Sequence, residues 1–95
     1  DSNVLLDVLT EDPRWSSWSM RALAEQGDRD VLAINPVIYA EVSIGSAYRK
    51  RRGVRVSPSP DFYIGAHASV SGMTLLTRDA ARYRTYFPKL RVIAP

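Results

Sequence analysis

One two-residue signal recurs along this chain and dictates where its helices begin. Asp12-Pro13, Asn35-Pro36 and Ser59-Pro60 each place a short side-chain acceptor directly before a proline. The acceptor satisfies N–H groups that a first helical turn leaves free. Proline, with φ held near the helical value and no N–H to lose, suits the first helical position. The spacing predicts helices from Pro13 to about Gln26, from Pro36 to about Ile44, and from Asp61 to Ser71. Gly27 and Gly72 read as the stops of the first and third. An earlier helix is expected over Asn3 to Leu9, with Val4, Leu5 and Val8 on one face. Another helix end is expected at Ala47 to Arg52, closed by Gly53. Trp15, Trp18 and Ala22 recur at helical spacing, and such a stripe reads as core or interface packing.

Three short apolar runs lie between the helical stretches. Asp30 to Ile34, Met73 to Leu76 and Leu90 to Ala94 read as strands, the first of them buried. Thr77 reads as the cap of a short helix that begins at Arg78, contains Asp79 and ends at Tyr86-Phe87-Pro88. Strands alternating with helices predict an α/β domain with a largely parallel sheet. At 95 residues the expectation is a single domain, 1–95. A hydrophobic content of 45% permits a core, though a small one. No apolar run approaches the ~18 residues of a membrane span, and no basic-then-apolar leader opens the chain. Cysteine is absent, which excludes disulfides and thiolate metal sites and suits a reducing interior. A cytoplasmic location is therefore expected.

The net charge is +3, and the basic residues cluster. Arg49, Lys50, Arg51, Arg52 and Arg55 fall within seven positions. Such a cluster suits a phosphate backbone; taken alone, it reads better as a solvated helix end. The acidic residues are more specific. Asp1, Asp61 and Asp79 each stand at the start of a helical stretch, and in an open parallel sheet such starts gather on one edge. The helix dipole alone accounts for any one aspartate in a first turn. Glu41 differs, because it lies among Val37-Ile38-Tyr39-Ala40 and Val42. A carboxylate buried there is costly without a partner, and a cation would be one. With no Cys and one His, converging carboxylates point to Mg²⁺ or Mn²⁺ and away from Zn²⁺. His67, among small residues, reads as a packing residue. No G-x-S-x-G elbow, P-loop or G-x-G-x-x-G run occurs.

Four segments taken together resemble the PIN-domain ribonucleases, and among them the VapC-type toxins of toxin–antitoxin pairs. Asp1-Ser2-Asn3-Val4-Leu5-Leu6-Asp7 is similar to the family's opening motif. Asn35-Pro36-Val37-Ile38-Tyr39-Ala40-Glu41 resembles the second, and Pro60-Asp61-Phe62-Tyr63-Ile64-Gly65-Ala66-His67-Ala68 the third. Leu75-Leu76-Thr77-Arg78-Asp79, followed by Arg82-Tyr83 and Tyr86-Phe87-Pro88, resembles the fourth. They occur in family order across nearly the whole chain. The resemblance implies a Rossmann-like, three-layer α/β/α sandwich with a mostly parallel sheet. It implies an acidic pocket for one or two divalent cations, Mg²⁺ or Mn²⁺, and endonucleolytic cleavage of single-stranded or loop RNA. Carried over by residue, Asp1, Glu41, Asp61 and Asp79 become the metal-binding and catalytic acids, with Asn3 and Thr77 supporting the pocket. A VapB-like antitoxin and a homodimer are the implied partners.

Against the family pattern, the strand before the first aspartate is lacking, and roughly 30–40 residues are expected to be absent near Ser46-Ala47, judged by ordinary element lengths. Two other functions fit the same residues. One is a PIN-like RNA-processing nuclease outside toxin–antitoxin systems. The other is a non-catalytic RNA-binding or interaction domain whose acids are structural.

Overall fold

The helix start at Asn35 follows local chemistry closely. In the computed structural model, which describes residues 1–50 and 60–95 and the side chains of 1–43 and 61–95, Asn35 caps a helix as expected. Its Oδ1 accepts from Ile38 N at 2.8 Å, and its carbonyl accepts from Tyr39 N at 3.0 Å. The helix it starts, α3, spans Pro36–Lys50. Asn35→Ala is expected to lower stability by about 1 kcal/mol. A urea titration should show this as a lower midpoint with an unchanged slope.

The remaining elements are α1 (Ser2–Leu9), α2 (Ser16–Arg29), α4 (Pro60–Val70), β1 (Leu75–Leu76), α5 (Ala80–Tyr86) and β2 (Val92–Ile93). The last helix begins two residues later than expected: α5 starts at Ala80, Asp79 stands before it rather than within it, and Thr77 does not cap it. The boundaries of α2 also differ from expectation. Asp12 does cap, but it caps a turn: its Oδ1 accepts from Arg14 N at 2.8 Å and Trp15 N at 2.9 Å, and regular helix begins only at Ser16. At the other end α2 passes through Gly27 to Arg29. A glycine inside a helix costs only about 1 kcal/mol relative to alanine, so it need not end one. A Cβ added at Gly27 would meet Leu32 Cδ1 at 3.4 Å, an ordinary van der Waals contact. The two helices expected on either side of Ser46-Ala47 are likewise one continuous α3; no proline interrupts that stretch.

The expected three-layer α/β/α sandwich with a mostly parallel sheet is not what forms. Among the described residues the sheet is two strands of two residues each, paired in parallel as Leu75↔Val92 and Leu76↔Ile93. They are joined by the single crossover helix α5. Asp30 to Ile34, expected as a buried strand, is irregular, with Val31 87% and Ile34 53% exposed. A strand exists only where a neighbour takes its backbone hydrogen bonds. Val31 N instead bonds the Asp30 side chain at 2.8 Å. So short a ladder offers no broad faces for helices to cover. The domain is a helical assembly built around one minimal β–α–β unit.

Burial is concentrated where α3, α4, α5 and β1 meet. Ile38, Ile64, Ala68, Leu75 and Tyr83 form the buried cluster, with Leu5, Val37, Val42, Phe87, Leu90 and Val92 packed against it. Helix α1 packs on both α2 and α3. The Trp15 and Trp18 rings meet edge to face at 6.4 Å, and Ala22 of the same stripe is buried. Among the described residues no helix is long and apolar enough to cross a membrane.

Candidate functional site

The site begins at the first turn of α1. Asp1 caps the helix by accepting from Ser2 N at 2.7 Å through Oδ1. Its Oδ2 accepts from Thr77 Oγ1 at 2.8 Å, and its backbone nitrogen donates to the Leu76 carbonyl at 2.6 Å. The start of α1 is therefore held against the end of β1.

Thr77 is fully buried and acts as a hub. Beyond donating to Asp1, its Oγ1 accepts from Asp79 N at 3.1 Å and from Asn3 Nδ2 at 3.4 Å. The opposite end of the Asn3 amide, Oδ1, is buried and has no hydrogen-bond partner among the described residues. Ser2, also buried, donates from Oγ to Glu41 Oε1 at 2.7 Å and so ties α3 to the same edge.

Asp61 and Asp79 complete the group from the far side. Arg82 donates from Nη1 to Asp61 Oδ2 at 2.5 Å, and its Nε lies 3.4 Å from Asp79 Oδ2. Tyr83 Oη donates to Asp61 Oδ1 at 3.3 Å. Burial raises the Tyr83 phenol well above its ordinary pKa of 10, with Asp61 and Glu41 adding to the shift. Tyr83 therefore stays a neutral donor. The hydrogen bond to Asp61, then the charges of Asp61 and Asp79, raise the Arg82 pKa further above its ordinary value.

The four acids expected from the sequence thus lie along one bonded route. It runs from Glu41 through Ser2 to Asp1, through Thr77 to Asp79, and through Arg82 to Asp61. What the fold does not do is gather them into one cage. Among the described residues no group of three or more acids or histidines is placed to hold a metal ion. The chemistry of the donors nevertheless suits a hard cation: carboxylates, hydroxyls and the unpartnered Asn3 carbonyl are all oxygen ligands. Of the two residues expected to support the pocket, Thr77 bonds Asp1 directly and Asn3 bonds Thr77.

Of the basic cluster, Arg49 and Lys50 are the last residues of α3, their side chains not described; Arg51, Arg52 and Arg55 lie outside the described residues. His67 is exposed on α4, its Nδ1 3.4 Å from Asn35 Nδ2.

Several residues that organise the edge were not singled out from the sequence. Arg82 carries a readable signal, since it lies at i+3 from Asp79, the spacing at which helical charges pair. Asp7 carries another, an acid on the same side of α1 as the buried Val4. It is wholly buried, accepts from Ser19 Oγ at 2.8 Å, and pairs with Arg78 through two bonds of 2.9 and 3.1 Å. Arg78 also lies over the Trp15 ring at 5.4 Å. The role of Ser2 has no sequence signal, because only the packing of α1 on α3 brings it to Glu41. No protein-family model, curated protein or solved structure matches this chain.

Proposed function

We propose that this chain is a divalent-metal-dependent endoribonuclease, similar to the PIN-domain toxins of VapC type. The observation that carries the reading is a connected series: Asp1, Glu41, Asp61 and Asp79, far apart in sequence, are linked through Ser2, Thr77 and Arg82 by hydrogen bonds and ion pairs of 2.5 to 3.4 Å, Asp79 joining Thr77 through its backbone N–H. Mg²⁺ or Mn²⁺ would be held by these carboxylates; when bound, such an ion lowers the pKa of water and neutralises charge on a phosphoryl oxygen. The chain's own residues orient the acids. Thr77 turns the Asp1 carboxylate, Ser2 turns Glu41, and Tyr83 turns Asp61. In this reading RNA is the substrate. A VapB-like antitoxin is the inhibitory partner, the toxin works as a homodimer, and the setting is the cytoplasm.

A second reading rests on a specific observation. Asp61 and Asp79 already have a cation in Arg82, which is what a structural role for the acids would require in a non-catalytic RNA-binding or interaction domain. One experiment separates the two. In Asp61→Asn and Asp79→Asn the side chain keeps its shape and loses its charge. Both variants are expected to cut Mg²⁺-dependent cleavage of a single-stranded RNA by roughly two orders of magnitude or more, as when one preorganised catalytic group is removed. The far-UV circular dichroism should be retained, since an exposed ion pair to Arg82 is worth only about 0–1 kcal/mol. Undiminished cleavage by the folded variants would leave the acids with a structural role only.

A further inference from the structure

The connection from β1 to α5 grips α1 at two separate points. Thr77 donates to Asp1 at the helix start. The next residue, Arg78, makes two bonds to Asp7, 2.9 Å from Nε to Oδ2 and 3.1 Å from Nη2 to Oδ1. At the rise of an α-helix the two acids stand ~9 Å apart along the axis. One contact lets a segment pivot; two contacts that far apart do not. The α2 side holds the pair further: the guanidinium carbon lies 5.4 Å from the Trp15 ring centroid, and Ser19 Oγ donates to Asp7 Oδ2 at 2.8 Å. Both chain neighbours of Arg78 belong to the acidic edge, since Thr77 bonds Asp1 and Asp79 pairs with Arg82.

Stability alone does not call for such a pair. Asp7 is wholly buried, and taking a carboxylate out of water costs so much that apolar residues of similar volume often serve as well as a buried ion pair. What apolar residues do not supply is direction. A guanidinium fork meets a carboxylate with two parallel bonds in one plane, and an aromatic ring beneath it favours that placement. We infer, resting on the nuclease reading, that Arg78 is a positioning residue: anchored on Asp7 and Trp15, it fixes the backbone from which Thr77 orients Asp1 and Asp79 faces a divalent cation. In this role Arg78 touches neither the cation nor RNA. Groups that only orient metal-binding residues still govern the affinity, and their loss typically costs roughly ten- to hundredfold.

The test measures Mn²⁺ binding without RNA, followed by the electron paramagnetic resonance of the free ion, with cleavage of a single-stranded RNA read separately. In Asp7→Leu with Arg78→Met the fork is gone, no charge is left buried, and the net charge of +3 is unchanged. This double variant is expected to keep a urea midpoint close to wild type and to bind Mn²⁺ roughly ten- to hundredfold more weakly. A merely structural pair would leave the affinity of so stable a protein unmoved. Arg78→Lys keeps the charge but loses the fork, and its affinity should fall between the two. Arg78→Ala should weaken Mn²⁺ binding as well, although removing a positive charge beside acids by itself tightens their hold on a cation. A folded double variant that binds Mn²⁺ as wild type does overturns the positioning role, and wild-type cleavage then leaves the nuclease reading standing. If the double variant does not fold, Arg78→Lys decides, and wild-type affinity there overturns the role. Weakened Mn²⁺ binding in the variants of a protein that cleaves no RNA supports the positioning role and removes the nuclease. If wild type binds no Mn²⁺, both readings fall.

Discussion

Arg78→Ala is expected to lower the unfolding free energy by about 3 kcal/mol, at the lower end of what removing one partner from a buried ion pair costs. Asp7 has no exposure at all, while Arg78 retains 24%. The arginine can therefore be removed with little cavity, but the carboxylate it leaves behind cannot reach water. Ser19 would remain as one hydrogen-bond donor to that carboxylate, which does not compensate a full charge. Against a stability of roughly 5–15 kcal/mol for a domain of ordinary size, the loss is large. Urea titration followed by circular dichroism measures it. Arg78→Lys should recover only part, because an ammonium cannot make the two parallel bonds of a guanidinium. Joint replacement by apolar residues, Asp7→Leu with Arg78→Met, should recover most of it, since no charge is then left buried. A loss below about 0.5 kcal/mol for Arg78→Ala, the size of an ordinary surface substitution, would show the pair to be irrelevant to stability. The pair also bears on the site, because Arg78 lies between Thr77 and Asp79 and ties their turn to α1.

Gly65→Ala should also destabilise, against the usual trend in a helix. Alanine gains about 1 kcal/mol over glycine in a helix interior. At Gly65, however, an added Cβ would lie 2.4 and 2.6 Å from two ring carbons of Phe87 and 3.1 Å from the Tyr83 ring. Carbon atoms in good contact lie ~3.5–4.0 Å apart, so the Phe87 ring would have to move by about 1 Å. It has little freedom to do so, being packed on Phe62 on one side and on the core cluster on the other. Overpacking of this kind costs up to about 3 kcal/mol, which leaves a net loss of roughly 2 kcal/mol after the propensity gain. Gly65→Val should lose more, since it adds bulk and a poorer helix former. The decisive comparison is a double-mutant cycle: in a Phe87→Leu background the cost of Gly65→Ala should shrink or vanish. A stabilised Gly65→Ala in the parent protein would show that α4 and α5 are not held as closely as described.

The sequence by itself determined what depends on neighbours in the chain. Asn35-Pro36 and Pro60 start helices where they stand, because capping and a fixed φ act within one turn. The four acids and Thr77 could be singled out because their motifs are local runs of residues.

Tertiary structure alone decided whatever needs a partner from far along the chain. Asp30 to Ile34 has a strand's composition, yet among the described residues no neighbouring strand takes up its backbone groups, and its apolar side chains are exposed. Leu75–Leu76 becomes a strand because Val92–Ile93 returns beside it after α5. Asp7 finds Arg78 71 positions away, and Ser2 finds Glu41 39 positions away. The physical reason is common to all of these. A cap or a turn gains its stabilisation from atoms already held near by the covalent chain. A ladder or a buried ion pair gains it only after loop closure has brought distant segments together, and a strand's pattern of side chains does not name the partner that must arrive.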